Sequence, residues 1–281
     1  MNITAIQNNN FKYRSFFGAN NAVLYDCNIA QSDNLPKNQV LLERGQIKDG
    51  KGELFNRHVT EYCRTDMNWI KLERVLRKKF PNPNDVNFVI YAASTGEEPY
   101  TVAMLLNKIY GKPVPIQAFD ISQGVIDEDI KHQKEGVVID LSDTRKIYET
   151  LRLNSFNGYF KTDRLNGSIK IDKRITDCVE FKRSNILDDI DKIDSSKPAV
   201  LMARNMWPYV KSSEYKGFCE KLRETLSSGS LFIIGTYDYN GENYLLNSDS
   251  FPRILSKHGF KPVSRSPLES FRSFNLIFEK K

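Results

Sequence analysis

The sequence predicts an α/β fold built on a mostly parallel sheet, and three observations carry that prediction. Phe88–Tyr91 and Ile116–Phe119 are short, apolar, β-prone runs, as strands covered on both faces are. Between them Val102, Leu105, Leu106 and Ile109 fall on one face of a helix. Further along, Pro198–Ala203 and Ser230–Gly235 are again continuous apolar runs, with an amphipathic stretch, Tyr215–Leu226, separating them. Strands alternating with helices of this length read as crossover units of a parallel sheet.

Taken in order, residues 1–56 carry weak signals. Asn8–Asn10, Asn20–Asn21 and Gly50–Gly52 are turn-like, and the short apolar pieces Ala22–Tyr25 and Val40–Leu42 fit either helix or strand. Met67–Lys79 is the first clear amphipathic helix, with Trp69, Ile70, Leu72, Val75, Leu76 and Phe80 apolar, and Pro81–Asn84 ends it. Its Lys71, Arg74, Arg77, Lys78 and Lys79 form the densest basic cluster of the chain, which is expected to be the solvated face of that helix. The crossover unit Phe88–Asp120 follows. Pro99 suits a first helical turn, where its missing N–H costs nothing, and Gly111 suits the stop.

Val125–Glu135 is expected to be a polar helix ended by Gly136, and residues 137–172 short helix and loop. Val179–Arg183 alternates as a strand does. Phe251–His258 reads as a helix and Phe274–Phe278 as a last strand.

The turn within the crossover unit, Ala92 to Tyr100, carries the chemistry. It has one Gly and two consecutive carboxylates, Glu97 and Glu98. That is not the three-glycine dinucleotide pattern, and two Glu would repel a pyrophosphate and suit a ligand bearing positive charge. Asp120, at the carboxyl end of the second strand and expected to face a cleft, is placed to hold a ribose hydroxyl pair. S-adenosylmethionine offers a ribose, a sulfonium and an ammonium, with no phosphate.

The eight residues Ala93-Ser94-Thr95-Gly96-Glu97-Glu98-Pro99-Tyr100 resemble the signature of the chemotaxis receptor methyltransferases, the CheR family, which methylate glutamate side chains with S-adenosylmethionine. Two other places match. Thr60 and Arg64 stand in the family's Thr-x-Phe-Phe-Arg segment, with Tyr62 and Cys63 replacing the Phe pair and His58 where the family often has Asn. Arg204, Asn205 and Tyr209 stand in its Cys-Arg-Asn segment, where Trp207-Pro208 replaces an aliphatic pair and is expected to reshape the acceptor pocket. Asn185 and Ile186 match in kind the strand end beside the adenine, although Ile186 is equally readable as core. Tyr159-Phe160 match a Tyr-Phe pair that the family carries. Thr236-Tyr237-Asp238 replaces the family's His-Ser-Glu, a clear departure.

The resemblance covers residues 58–280. It implies a Rossmann-like class I methyltransferase fold with a seven-stranded, mostly parallel sheet flanked by helices. It divides the chain into an N-terminal region with a linker helix, 1–80, and a methyltransferase domain, 81–281. The family's helical opening domain is not recognisable in residues 1–56, which are expected to be shortened or divergent. The implied cofactor residues are Thr60, Arg64, Ala93, Glu98, Asp120, Asn185, Ile186, Arg204 and Asn205. The implied catalytic residues are Arg64, Arg204 and Tyr209.

A glutamate is already ionised at neutral pH, so its methylation needs a cation to orient it rather than a general base. His132 and His258 lie away from every motif. Other readings stay open: the same fold acting on a small molecule or a nitrogen acceptor, a non-catalytic cofactor-binding module, or, from basic charge alone, a nucleic-acid-modifying enzyme. The expected partner is an acceptor protein of a chemoreceptor-like or signalling kind, with no nucleic acid, the chain acting as a monomer.

The net charge of +6 is distributed rather than blocked, which gives no nucleic-acid tract. Cys27, Cys63, Cys178 and Cys219 lack metal or redox spacing and are expected to be free thiols. With no signal-like N-terminus and no apolar run of membrane-spanning length, the expectation is a cytoplasmic protein.

Overall fold

In a computed structural model of the chain, the described residues are 46–48, 54–56, 60–163, 167–239, 250–263 and 276–281. The chain forms two compact units, one of residues 1–57 with 209–211, the other of residues 58–208 with 212–281. In the first unit β1 (Gln46–Lys48) pairs antiparallel with β2 (Leu54–Asn56). The other expectations for residues 1–56, and His58, lie outside the described residues.

The second unit opens with α1 (Trp69–Lys79), capped by Asn68, whose side chain accepts from the Lys71 N–H. Trp69, Leu72 and Leu76 are buried in the core, each such apolar side chain contributing about 2 kcal/mol, while Arg74, Arg77 and Lys78 are exposed. Then come β3 (Asn87–Tyr91), α2 (Glu97–Tyr110), β4 (Ile116–Asp120) and α3 (Gln123–Glu135). Gly111 ends α2 in the left-handed region. After them stand β5 (Val138–Ile139), α4 (Leu141–Leu151), β6 (Phe160–Thr162), β7 (Ile169–Ile171), the single turn α5 (Lys173–Thr176), β8 (Val179–Arg183) and the single turn α6 (Ile186–Asp189). The chain closes with β9 (Ala199–Ala203), α7 (Ser212–Thr225), β10 (Leu231–Ile233), α8 (Phe251–Lys257), β11 (Phe260–Pro262) and β12 (Ile277–Lys280).

The seven-stranded sheet has the order β11-β12-β10-β9-β3-β4-β8. Strands β10, β9, β3, β4 and β8 are mutually parallel, and β12 runs antiparallel between β10 and β11. This is the Rossmann-like class I arrangement that the resemblance implies. The chain builds outward from β3 to β4 and β8, then crosses back to β9 and β10. Such a reversal leaves a crevice at the carboxyl ends of the strands beside it. β9, in the middle, is buried at every residue, whereas edge strand β8 exposes Glu180, Lys182 and Arg183, charges that discourage further pairing.

Two expectations are corrected. Residues 137–172 hold a full helix and an antiparallel sheet of order β5-β7-β6, because strands of two or three residues are too short to show a period. Trp207 does not line a pocket: it is fully buried, stacks on Phe251 at 3.7 Å and sits among Tyr215, Phe218 and Phe232. Its indole N–H donates to the Ala203 carbonyl at 2.9 Å. β11 was not anticipated either. It is a short edge strand containing Pro262, a residue that sheets accept at an edge. The last strand is described only from Ile277; Phe274 lies outside the described residues.

Candidate functional site

Two turns at the carboxyl edge of the sheet hold backbone that non-glycine residues seldom adopt. Ala92 (φ 57°) and Ser94 (φ 51°) follow β3, and Asn205 (φ 59°) follows β9. Left-handed residues persist only where surroundings over-determine them, and they gather at working sites. The β3 turn is set by Asp120. One carboxylate oxygen accepts the Ser94 N–H at 2.9 Å and the other the Ser122 N–H at 3.0 Å. The strand-end acid is 6% exposed, so it clamps two loops as well as ending β4. Gly96 is required there: its φ is +86°, and a Cβ would sit 2.9 Å from a Tyr100 ring carbon and 3.3 Å from an Asp129 oxygen.

The two neighbouring glutamates part company. Glu98 points to Arg204 and forms an ion pair with its Nη1. Glu97 takes a bond from the Thr95 hydroxyl at 2.8 Å, and burial pushes its carboxyl up to about 7. Asp129 on α3, buried and with one oxygen lacking a partner, is pushed up by burial, and then by Glu97 and Asp120, to about 8.

Arg204, directly after β9, has 1% of its side chain exposed. A guanidinium in that position must be neutralised, and two carboxylates do so: Glu98 on Nη1 and Asp66 on Nη2. The guanidinium carbon also lies 5.5 Å from the Trp69 ring centroid. Asn205 donates its amide N–H to the second Asp66 oxygen at 3.0 Å and accepts the Tyr237 N–H at 3.1 Å. Gly235 has to be glycine for this, because a Cβ there would fall 1.9 Å from the Asn205 side-chain oxygen.

The Thr236-Tyr237-Asp238 turn is built into the same structure. Asp238 is fully buried and accepts from the N–H groups of Gly235, Asn205 and Trp207. Burial pushes its carboxyl up to about 7 against the pull of those three bonds.

The segment carrying Arg64 is tied to this edge by the Cys63 N–H, which donates to the Thr101 hydroxyl of α2 at 3.1 Å. The Arg64 carbonyl accepts from the Trp69 indole at 3.1 Å. The Arg64 guanidinium lies 3.9 Å from Asp66 and stacks over Tyr237 at 5.2 Å, with 19% of its side chain exposed.

The structure thus brings Arg64, Glu98, Arg204 and Asn205 into one network, with Ala93 and Asp120 in the adjoining turn. Thr60 is half-buried at the start of the Arg64 segment. Asn185 caps α6, accepting the Leu187 N–H at 3.2 Å, and Ile186 is 2% exposed. Tyr209 is half-buried in the short turn Trp207–Tyr209.

Sequence reasoning missed Asp66, Thr236 and Tyr237. Asp66 carries no signal of its own in the sequence: it stands two residues after Arg64, and only the folded sheet brings Arg204 and Thr236 to it.

These residues fit S-adenosylmethionine. Ser94 Oγ and Arg204 Nε are buried without partners, and such atoms at a crevice await a polar ligand. The turn offers small Ala93 and Ser94 beside the carboxylates Glu98 and Asp120, and it has no Lys or Arg to favour a phosphate. Among the described residues no His, Cys, Asp and Glu group is placed to hold a metal, and Cys63, Cys178 and Cys219 are free thiols. No helix among them is long and apolar enough to cross a membrane.

Comparison with known proteins gives the same answer. A chemotaxis protein methyltransferase of Borreliella burgdorferi is 28% identical over 172 residues, covering 57% of this chain and 55% of that protein. Chemotaxis protein methyltransferase 2 of Pseudomonas aeruginosa is 26% identical over 210 residues, covering 70% of this chain and 68% of that protein. This chain therefore spans little more than half the length of the first of these relatives. Among solved structures, the magnesium protoporphyrin IX methyltransferase of Synechocystis covers 76% of this chain and 79% of its own at 10% identity and a TM-score of 0.38, too remote to bear on function. Residues 58–248 match the CheR methyltransferase family in its S-adenosylmethionine-binding domain, and the chain belongs to that family.

Proposed function

We propose that this protein is an S-adenosylmethionine-dependent methyltransferase whose acceptor is a carboxylate, the glutamate side chain of a protein. The observation that carries the reading is the division between the two motif arginines. Arg204 is enclosed by two carboxylates, while Arg64 reaches the same network and keeps part of its side chain at the surface.

S-adenosylmethionine, when bound, supplies a methyl group on a positively charged sulfur. Glu98, Asp120, Ala93, Arg204 and Asn205 would hold it, with Thr60, Asn185 and Ile186 at the margins. Arg64 presents a planar cation that can grip both oxygens of an acceptor carboxylate and align them. Alignment alone supplies several kcal/mol of a barrier of this kind. Tyr209 can donate a hydrogen bond to the acceptor. A carboxylate asks for no base, and the described histidines supply none here: His132 lies beside Glu128 on α3, and His258 bonds the Ile254 carbonyl at the end of α8.

The match at residue 58, and the packing of α1 into the core, favour a catalytic domain that takes in α1, with residues 1–57 as the N-terminal region. The names of the relatives favour a chemoreceptor-like acceptor, and we propose that a monomeric enzyme reaches it in the cytoplasm. One observation favours the alternative of a small-molecule or nitrogen acceptor: Tyr237, in the turn that departs from the family, covers a face of Arg64.

Incubation with methyl-labelled S-adenosylmethionine and a cell lysate separates the two. The reading expects label on protein that is released as methanol by mild base, as from a carboxyl ester. Base-stable label overturns it.

A further inference from the structure

We infer that Asp66 is the positioning residue of this site, orienting Asn205 and Arg204 toward the cofactor. The inference rests on the reading of the site as an S-adenosylmethionine site. Nothing in the motif matches assigns this residue a role.

The geometry is that of a hub. One Asp66 oxygen meets Arg204 Nη2 and lies 3.9 Å from Arg64 Nε. The other accepts from Asn205 Nδ2 at 3.0 Å and from the Thr236 N–H at 3.3 Å. A single carboxylate therefore joins three stretches of chain: the segment before α1, the turn after β9 and the turn after β10.

Its chemistry is matched to each partner. An ionised carboxylate only accepts hydrogen bonds, so it fixes which end of the Asn205 amide faces it. The Asn205 oxygen is then directed to the Tyr237 N–H. This matters because Asn205 holds a left-handed backbone at φ 59°, which the surroundings have to enforce. Burial works to raise the Asp66 carboxyl, but Arg204 foremost, then Arg64, Asn205 and Thr236, hold it below the usual carboxylate range. It stays charged wherever the protein is folded at neutral pH.

Neither Glu98 nor Asp238 can replace it. Glu98 meets only the opposite edge of Arg204. Asp238 accepts from the Asn205 backbone N–H at 2.8 Å and so holds the main chain of that residue, while Asp66 takes its side-chain amide.

The test is calorimetric titration with S-adenosylmethionine of the wild type, Asp66→Asn, Asn205→Ala and the double variant, with thermal unfolding of each. Asp66→Asn should raise Kd about tenfold. If Asp66 works through Asn205, adding the same change to Asn205→Ala should raise Kd by less than half that factor, a non-additivity that a general loss of stability does not give. An unchanged Kd in Asp66→Asn, or a full factor in the double variant, overturns the assignment. Should Asp66→Asn fail to fold, Asp66→Glu keeps the charge and displaces the oxygen from Asn205; it should raise Kd about threefold, and an unchanged Kd overturns the assignment equally. A wild type without affinity for S-adenosylmethionine overturns the reading of the site and this assignment together, and that arm is decided before any variant is measured.

Discussion

Arg64 and Arg204 share one oxygen of Asp66 and are otherwise unlike. Arg204 comes from the end of a fully buried strand, has 1% of its side chain exposed and is bracketed by Asp66 and Glu98. Arg64 comes from a segment outside the crossover unit, keeps 19% of its side chain exposed, lies 3.9 Å from Asp66 and stacks on Tyr237. The difference teaches that two arginines in two matched motifs need not do the same work. A buried guanidinium between two carboxylates is part of the frame, and removing it leaves two charges stranded. A partly exposed one at the rim can meet a substrate.

The sharpest way to break this comparison is to treat both arginines as frame. Arg204→Met should cost about 3–5 kcal/mol in urea unfolding, the range for leaving buried charges without their partner. A loss below about 1 kcal/mol would show that the Asp66–Arg204–Glu98 network contributes little net stability and is not the frame.

The next test moves to the neighbouring turn. Asp120→Ala strips the acceptors from the Ser94 and Ser122 N–H groups, so it should cost about 1–3 kcal/mol of stability as well as weakening S-adenosylmethionine binding. Calorimetry and thermal unfolding on the same sample read both. Full stability with weakened binding would make Asp120 purely a ligand residue.

The smallest effect concerns two acids that no cation balances among the described residues. Glu97 and Asp129 are pushed up to about 7 and about 8. The native state therefore keeps protons that the unfolded chain releases above the ordinary carboxylate range. Stability contributed by these groups is full below that range, falls as pH rises through it, and levels off above about pH 8. Urea midpoints should drop between pH 5 and pH 8, and Glu97→Gln should remove part of that drop. Asp66 has the opposite sign: its lowered carboxyl stabilises above the ordinary range, and that contribution is lost as acid protonates it.

Much of this was legible in the sequence because long periodic or continuously apolar stretches report their own structure. β3, α2, β4, α1, β9 and α7 all announce themselves that way. Arg204 and Asn205 were legible because polar residues directly after a buried strand must find partners, and Glu98 because it stands in the eight-residue signature. What was not legible depends on tertiary proximity. Asp66 looks like an ordinary acid before a helix until β9 and β10 bring Arg204 and Thr236 to it. Trp207 looks like a pocket residue until Phe251 stacks on it from a distant helix. The two- and three-residue strands β5, β6 and β7 exist only because they pair with one another. Glu97 and Glu98 are indistinguishable by type, and helical rotation alone sends one toward Thr95 and the other to Arg204.

The most direct test of the division between the arginines is methyl transfer by Arg64→Ala, measured beside its affinity for S-adenosylmethionine. The account predicts a fall in transfer of about tenfold or more, a much smaller change in cofactor affinity, and only partial recovery in Arg64→Lys, whose ammonium cannot grip both carboxylate oxygens. Unchanged transfer in Arg64→Ala, or lost cofactor binding in its place, would contradict it.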